Sequence, residues 1–226
     1  MTRGILLAGN ESSLSDAVAV EAAKRVEYFA AAFIPNRLTT PGEAKTFSAT
    51  DSLIPLHWNP GSPVSARTLI LAAENRLEHI NDALLICAPP SVRKHPGELV
   101  ATEIEIMVND HIKGWFFLVK ELTALFRVKK TGTLALVLSE LNPCGGRDEA
   151  PDLIGASAVE SFRAFTQGLL SSSLEEPFRI LGFSAPESSN TTEFAAFIFK
   201  FLEEGGKRSN GKWLKFGKGR GLFSRY

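Results

Sequence analysis

Residues 5–19 read ILLAGNESSLSDAVA, an apolar run that enters a tight turn at Gly9 and leaves it with a helical pattern. Strand, turn and helix in this order open the α/β units that bind nucleotides. The turn of such a unit is normally rich in glycine, so that the backbone can approach a pyrophosphate at the helix N-terminus. Here Ser13 and Ser15 stand where further glycines are expected. The helix itself is predicted from apolar residues that recur every four positions on one face, namely Leu14, Val18, Ala22 and Val26.

Length and composition suit one α/β domain over residues 1–226, because 44% of the residues are hydrophobic and 22% are charged. Lys+Arg and Asp+Glu both number 25, so no net field attracts nucleic acid or a membrane surface. The two cysteines, Cys87 and Cys144, argue against a disulfide framework and suit a reducing compartment. No signal peptide precedes the first strand, and no apolar run is long enough to span a bilayer. We therefore expect a cytoplasmic protein.

Strand and helix patterns alternate along the rest of the chain. This alternation predicts a doubly wound, Rossmann-type α/β fold, with a parallel seven-stranded sheet and helices on both faces. The later strands are predicted at residues 30–34, 53–57, 82–88, 133–138, 178–182 and 212–216, and the later helices at 63–80, 103–126, 156–170 and 192–202. Residues 36–52 are predicted to form a loop. The core stripe of the long helix is predicted to consist of Ile104, Val108, Ile112, Trp115, Val119, Leu122 and Phe126.

Five landmarks stand at characteristic spacings: Ala8-Gly9 with Ser13 and Ser15, Ile86-Cys87-Ala88-Pro89 after Asp82, Asn109, residues 132–139 ending in Ser139, and the glycine-rich segment 211–219. In order and position they resemble the motifs of the short-chain dehydrogenase/reductase family, over almost the whole chain. The resemblance implies an NAD or NADP site and carbonyl or alcohol chemistry. It implies no metal, and the four histidines (His57, His79, His95 and His111) show no metal-site spacing.

The cofactor-binding positions implied by the resemblance are Gly9, Ser13, Leu14, His57, Ala88 and Pro89. Gly9 either accommodates a pyrophosphate or serves the strand–helix turn, whereas Ser13 and Ser15 are expected to cap the helix. His57 stands where the family often has an aspartate that holds the adenine, but a strand-end histidine without a ligand role is the preferred interpretation. Pro89 replaces a glycine and removes a backbone donor, or simply ends the strand. Weak or absent dinucleotide binding is therefore expected, and Arg37 indicates NADP only faintly.

The catalytic positions implied by the resemblance are Ser139, Asn109 and Asp152. The family's catalytic tyrosine lies thirteen residues after its serine and its lysine four residues further, which gives Asp152 and Ala156 here. In the family, the lysine lowers the pKa of the tyrosine so that the phenol can transfer a proton. Asp152 would instead repel a carbonyl oxygen that gains negative charge, and Ala156 supplies no charge. Asn109 is interpreted as the site of a retained helix kink, and Ser139 as the one fully kept active-site group.

Two functions remain open at this point. The first is a protein without ordinary reductase activity that binds a nucleotide or a partner chain. The alternative is an NAD(P)-dependent oxidoreductase with a non-standard proton donor, in which Ser139 polarises the carbonyl. The short connection 183–189, where the family inserts a substrate lid, weakens the hydride-transfer hypothesis because water would reach the substrate.

The expected partner is a second copy of the chain. The helix at 103–126 carries Trp115, Phe116 and Phe117 in succession, so its apolar surface exceeds one face. Family members pair this helix and the one at 156–170, which implies a homodimer or homotetramer. The basic tail at 207–225 carries interleaved aromatic residues, but a last sheet strand is preferred to a nucleic-acid site because the net charge is zero.

Overall fold

A computed structural model describes residues 3–35, 37–38, 51–141, 150–204 and 210–217. In these residues seven strands form one sheet in the order β3-β2-β1-β4-β5-β6-β7, and every neighbouring pair is parallel. This confirms the doubly wound sheet. The strands are β1 Ile5–Asn10, β2 Phe29–Ile34, β3 Leu53–Pro55, β4 Asp82–Cys87, β5 Thr133–Glu140, β6 Arg179–Pro186 and β7 Lys212–Lys215. Cys144, most of the predicted 36–52 loop and most of the basic tail lie outside the described residues.

Helices cover both faces of the sheet, as predicted. Apolar residues of α1 and α6 form one core layer, and those of α2, α4 and α5 form the other. The central strands are continuously buried because both of their faces are covered. The helices are α1 Ser13–Ala23, α2 Pro63–Leu77, α3 Ala101–Val108, α4 Gly114–Lys129, α5 Leu153–Ser171 and α6 Thr191–Glu203, with short 3₁₀ turns at Pro96–Glu98 and Ser173–Glu175.

The long helix predicted at 103–126 is interrupted by a π-helical segment, Asn109–Lys113, between α3 and α4. A π turn inserts a residue relative to an α turn and rotates the buried face by about 100°. The predicted core stripe is therefore correct after this segment, from Trp115 to Phe126. Before it the stripe is wrong: Ile104 and Val108 are each 42% exposed, and Met107 is buried instead. The π-helical segment begins at Asn109, the residue where the sequence predicts a helix kink.

Strand β6 is longer than the predicted 178–182 because residues 179–186 all pair with β5. Only residues 187–190 then connect β6 to α6, which makes this connection even shorter than the sequence suggests.

In the part of the chain that the structure describes, none of the helices combines the length and apolar character needed to cross a membrane.

Candidate functional site

The carboxyl ends of β1 and β4 meet at the point where the strand order reverses, which is the place where doubly wound sheets bind ligands. Gly9 pairs with Ile86 there, and a Cβ atom at Gly9 would lie 2.5 Å from the carbonyl oxygen of Ile86. The close approach of β1 to β4 thus excludes any side chain at this position. Strand packing alone accounts for Gly9.

Asn10 closes the gap between the two strand ends. Its side chain is almost fully buried, its Oδ1 accepts the backbone N–H of Ala88 at 3.2 Å, and its Nδ2 donates to the carbonyl oxygen of Ala88. Both backbone polar groups of Ala88, a predicted cofactor-binding residue, are therefore used inside the protein. The motif spacing does not indicate Asn10, although an asparagine directly after Gly9 at the end of an apolar run is a usable signal.

The start of α1 has its hydrogen bonds satisfied by the chain itself. Ser12 is the N-cap, and its Oγ accepts the backbone N–H of Ser15 at 3.1 Å. The hydroxyl of Ser15 donates to the carbonyl oxygen of Asn10 at 2.6 Å, and the N–H of Glu11 donates to Ile34 at 2.9 Å. The prediction that Ser13 and Ser15 cap this helix was wrong, because the capping side chain is that of Ser12.

The charge at this helix start is unfavourable for a pyrophosphate. Burial and the nearby carboxylate of Asp16 both raise the pKa of Glu11, so two acidic side chains lie near each other at the N-terminus of α1. A diphosphate placed there would meet negative charge where the helix dipole otherwise attracts anions. Of the two other predicted contacts in the turn, the side chain of Leu14 is buried in the core beneath α1 and Ser13 is exposed.

Asp152, which the family resemblance assigns to the proton-donor position, is the N-cap of α5. Its side chain is 1% exposed, its Oδ1 accepts the N–H of Gly155 at 2.8 Å, and its Oδ2 accepts the N–H of Val92 at 3.2 Å. A Cβ atom at Gly155 would lie 2.6 Å from this carboxylate, so the glycine makes room for it. Both oxygens of Asp152 are thus bound to backbone donors, one in α5 and one in the segment after β4.

Ser139 and Asn109 have separate surroundings. Ser139 is half-buried near the end of β5 and pairs with Ala185 of β6. The side-chain oxygen of Asn109 accepts a hydrogen bond from Lys113 at 3.3 Å, and its amide group lies against the Gly61 turn. Among the described residues, the bonds of Asn109 and Asp152 go to different partners and form no shared proton path.

His57 and Pro89 lie on the same edge of the sheet. His57 lies two residues after β3 and is exposed, and Pro89 lies two residues after β4 and is buried. In the described ranges no three His, Cys, Asp or Glu side chains come together in a group that could hold a metal ion.

The π-helical segment carries two buried polar groups. Asp110 is 2% exposed and receives the guanidinium of Arg37, with Nη2 at 2.5 Å from Oδ1 and Nε at 3.2 Å from Oδ2. The neighbouring His111 is 3% exposed, and burial together with the charge of Arg37 lowers its pKa to about 4. His111 is therefore neutral at physiological pH.

No protein-family model and no curated protein sequence matches the chain. Its fold matches solved short-chain dehydrogenases/reductases over nearly their full length. One is a short-chain dehydrogenase from Mycobacterium smegmatis (TM-score 0.72, 13% identity, 97% of this chain and 93% of that chain covered). Another is a putative 3-oxoacyl-reductase from Bacillus thuringiensis (TM-score 0.73, 14% identity, 96% and 97% covered). A third is ElxO with NADP bound (TM-score 0.72, 12% identity, 95% and 97% covered). The chain has the fold of the short-chain dehydrogenases/reductases.

Proposed function

We propose that this protein is a binding module on a short-chain dehydrogenase/reductase scaffold, without ordinary reductase activity, whose ligand is a nucleotide or a protein chain. The observation that carries the proposal is the position of Asp152. Its two carboxylate oxygens are buried and accept backbone hydrogen bonds from Gly155 and Val92. A group held in this way is not available to exchange a proton with a substrate, because a general acid has to reach the reacting atom.

The rest of the proton-transfer machinery implied by the family resemblance is also missing. Ala156 stands at the lysine position and offers no cation to lower the pKa of a donor or to hold a ribose. Tyr28 lies directly before β2, far along the sheet from the end of β5, and Tyr226 is outside the described residues. Ser139 could polarise a carbonyl, but polarisation without a positioned acid loses roughly 10²- to 10⁴-fold in rate.

The hydrogen bonds and charges at the predicted cofactor-binding residues support weak NAD or NADP binding. Backbone groups of Glu11, Ser15 and Ala88 are already bonded within the chain, and acidic side chains flank the helix start. Each lost charge-assisted hydrogen bond to a phosphate costs on the order of 1.5–3 kcal/mol, and every 1.4 kcal/mol is about tenfold in affinity. We therefore expect dissociation constants for NAD(H) and NADP(H) above the micromolar range.

Cys87 is buried and carries a free thiol, which agrees with a proposed cytoplasmic location.

The purified protein is expected not to oxidise NADH or NADPH in the presence of aldehydes, ketones or quinones. The double variant Asp152→Tyr with Ala156→Lys is expected to gain at most trace activity, because the tyrosine removes the cap of α5 and the turn after β1 is unchanged. Absorbance at 340 nm measures cofactor oxidation by the wild-type protein and by the double variant, and Ala156→Lys alone is the matched control. Robust turnover by the wild-type protein that Ser139→Ala abolishes would instead establish an oxidoreductase with a non-standard proton donor.

We also propose a homodimer or homotetramer formed through α3, α4 and α5. Exposed apolar side chains lie on all three helices: Ile104, Val108, Phe116 and Leu153. Phe116 is 53% exposed, and its ring lies 4.5 Å from that of Phe165 of α5, so the apolar surface continues from one helix to the next. A surface of this kind on a water-soluble domain is usually covered by a partner.

Light scattering at micromolar concentration is expected to give at least a dimeric mass. Phe116→Asp is expected to shift that mass toward the monomer, because it places a charge in the apolar surface. Val20→Asp is the matched control, since Val20 is 44% exposed on α1, which covers the opposite face of the sheet. A monomeric wild-type protein, or equal masses for both variants, would contradict this arrangement.

A further inference from the structure

Leu38 lies far from β2 in the sheet although it follows this strand by four residues. Strand β2 ends at Ile34, which pairs with Asn10 of β1, and β4 lies on the opposite side of β1. Leu38 nevertheless packs in a small apolar cluster with residues that lie beyond β4 in the fold. The other members of this cluster are Val92 after β4, Leu99, Met107 of α3, and Ile154 and Ala158 of α5. Four residues after the end of β2, Leu38 thus packs against α3 and α5.

An ion pair with a buried carboxylate and a half-exposed guanidinium holds Arg37 and Leu38 in this position. Arg37 binds Asp110 with two parallel hydrogen bonds, and the side chain of Asp110 is 2% exposed while that of Arg37 is 51% exposed. Because the carboxylate of Asp110 is buried, separating it from Arg37 leaves an uncompensated buried charge, so the open state is a minor one. The two-pronged geometry of a guanidinium on a carboxylate also fixes direction. Arg37 is thereby fixed against the π-helical segment.

We propose that Arg37 and Leu38 form an internal clasp over the β1/β4 crevice, and that a nucleotide enters only when the Arg37–Asp110 pair opens. The crevice is then bounded by the protein's own groups on two sides, with Asn10 between the strand ends and the clasp across them. The proposal deepens the proposed function, because it assigns the control of ligand entry at the same site.

The clasp predicts how affinity responds when it is broken. Binding that requires a minor, open state is weakened by the fraction of molecules in that state, so raising this fraction strengthens binding in proportion. Opening also frees the guanidinium of Arg37, which can then pair with a phosphate of the ligand. Loss of the pair should therefore increase affinity for a dinucleotide, whereas loss of a merely structural ion pair should leave it unchanged or weaken it.

Calorimetric titration of NADH into Asp110→Asn is expected to show at least tenfold tighter binding than titration into the wild-type protein. Leu38→Ala, which removes the apolar half of the clasp without touching the ion pair, should also bind more tightly. Glu176→Gln is the matched control, because Arg127 binds Glu176 with a similar two-pronged geometry at 2.8 and 2.5 Å, next to the 3₁₀ turn before β6. This control should bind NADH as the wild type does.

The outcomes separate the clasp from the proposed function. If neither Asp110→Asn nor Leu38→Ala binds NADH more tightly than the wild type, the clasp is wrong, while weak binding by all variants leaves the proposed function standing. If the wild type and all variants bind equally tightly in the micromolar range, both the clasp and the expectation of weak cofactor binding fail. Should Asp110→Asn not fold, Leu38→Ala decides alone, since its side chain is only partly buried.

Discussion

Replacing Asp152 with alanine is expected to lower the free energy of unfolding by about 2–4 kcal/mol. Loss of a helix N-cap costs roughly 1 kcal/mol. The substitution also leaves the N–H of Val92, which belongs to a residue 7% exposed, without its acceptor, and an unsatisfied buried donor costs about 1–3 kcal/mol. Urea unfolding followed by circular dichroism measures the change, provided that the slope with denaturant stays constant.

Ser62→Ala is the matched control for this experiment. Ser62 caps α2 by accepting the N–H of Ser65 at 3.3 Å, but it bonds to no second segment in the part of the chain that the structure describes. It should therefore cost only the capping contribution, about 1 kcal/mol. Equal losses for Asp152→Ala and Ser62→Ala would mean that the bond from Asp152 to Val92 contributes nothing. The role of Asp152 as a link between α5 and the segment after β4 would then be withdrawn.

Acidification is expected to destabilise the protein between about pH 6.5 and pH 4 through His111. Burial first, and then the charge of Arg37, lower the pKa of this histidine from 6.5 to about 4 in the folded protein. In that window the unfolded chain binds a proton that the folded protein does not, so stability is complete above pH 6.5 and is lost as the pH falls toward 4. A pKa difference of this size between the unfolded and the folded protein corresponds to about 3 kcal/mol in the free energy of unfolding.

The variant His111→Phe isolates this effect. Phenylalanine does not titrate and suits a buried site, so the free energy of unfolding of this variant should fall by about 3 kcal/mol less than that of the wild type between pH 7 and pH 4. Carboxylates that also take up protons in acid are common to both proteins and cancel in the comparison. His57→Phe is the control, because His57 is exposed after β3. Parallel stability–pH curves for His111→Phe and the wild type would rule out the buried neutral histidine.

The candidate site could be predicted from the sequence only in part. Spacing alone assigned Asp152 and Ala156 to the positions of the catalytic tyrosine and lysine, and the glycine-poor turn after β1 already argued for weak cofactor binding. Spacing did not reveal that Asp152 links α5 to the segment after β4, because its second partner, Val92, lies 60 residues earlier. It also misassigned the cap of α1 to Ser13 and Ser15 rather than Ser12, since neighbouring serines are equivalent in sequence and differ only in backbone conformation.

The sequence by itself determined the strands, their alternation with helices and the parallel sheet, because these follow from local periodicity and from continuous apolar runs. Only the tertiary structure decided where the buried face of the 103–126 segment lies, since one inserted π turn rotates every later residue relative to the earlier ones. The tertiary structure also decided that Arg37 binds Asp110, a pair separated by 73 residues. Such a contact depends on how distant segments are brought together in the fold, and neither composition nor local pattern predicts this.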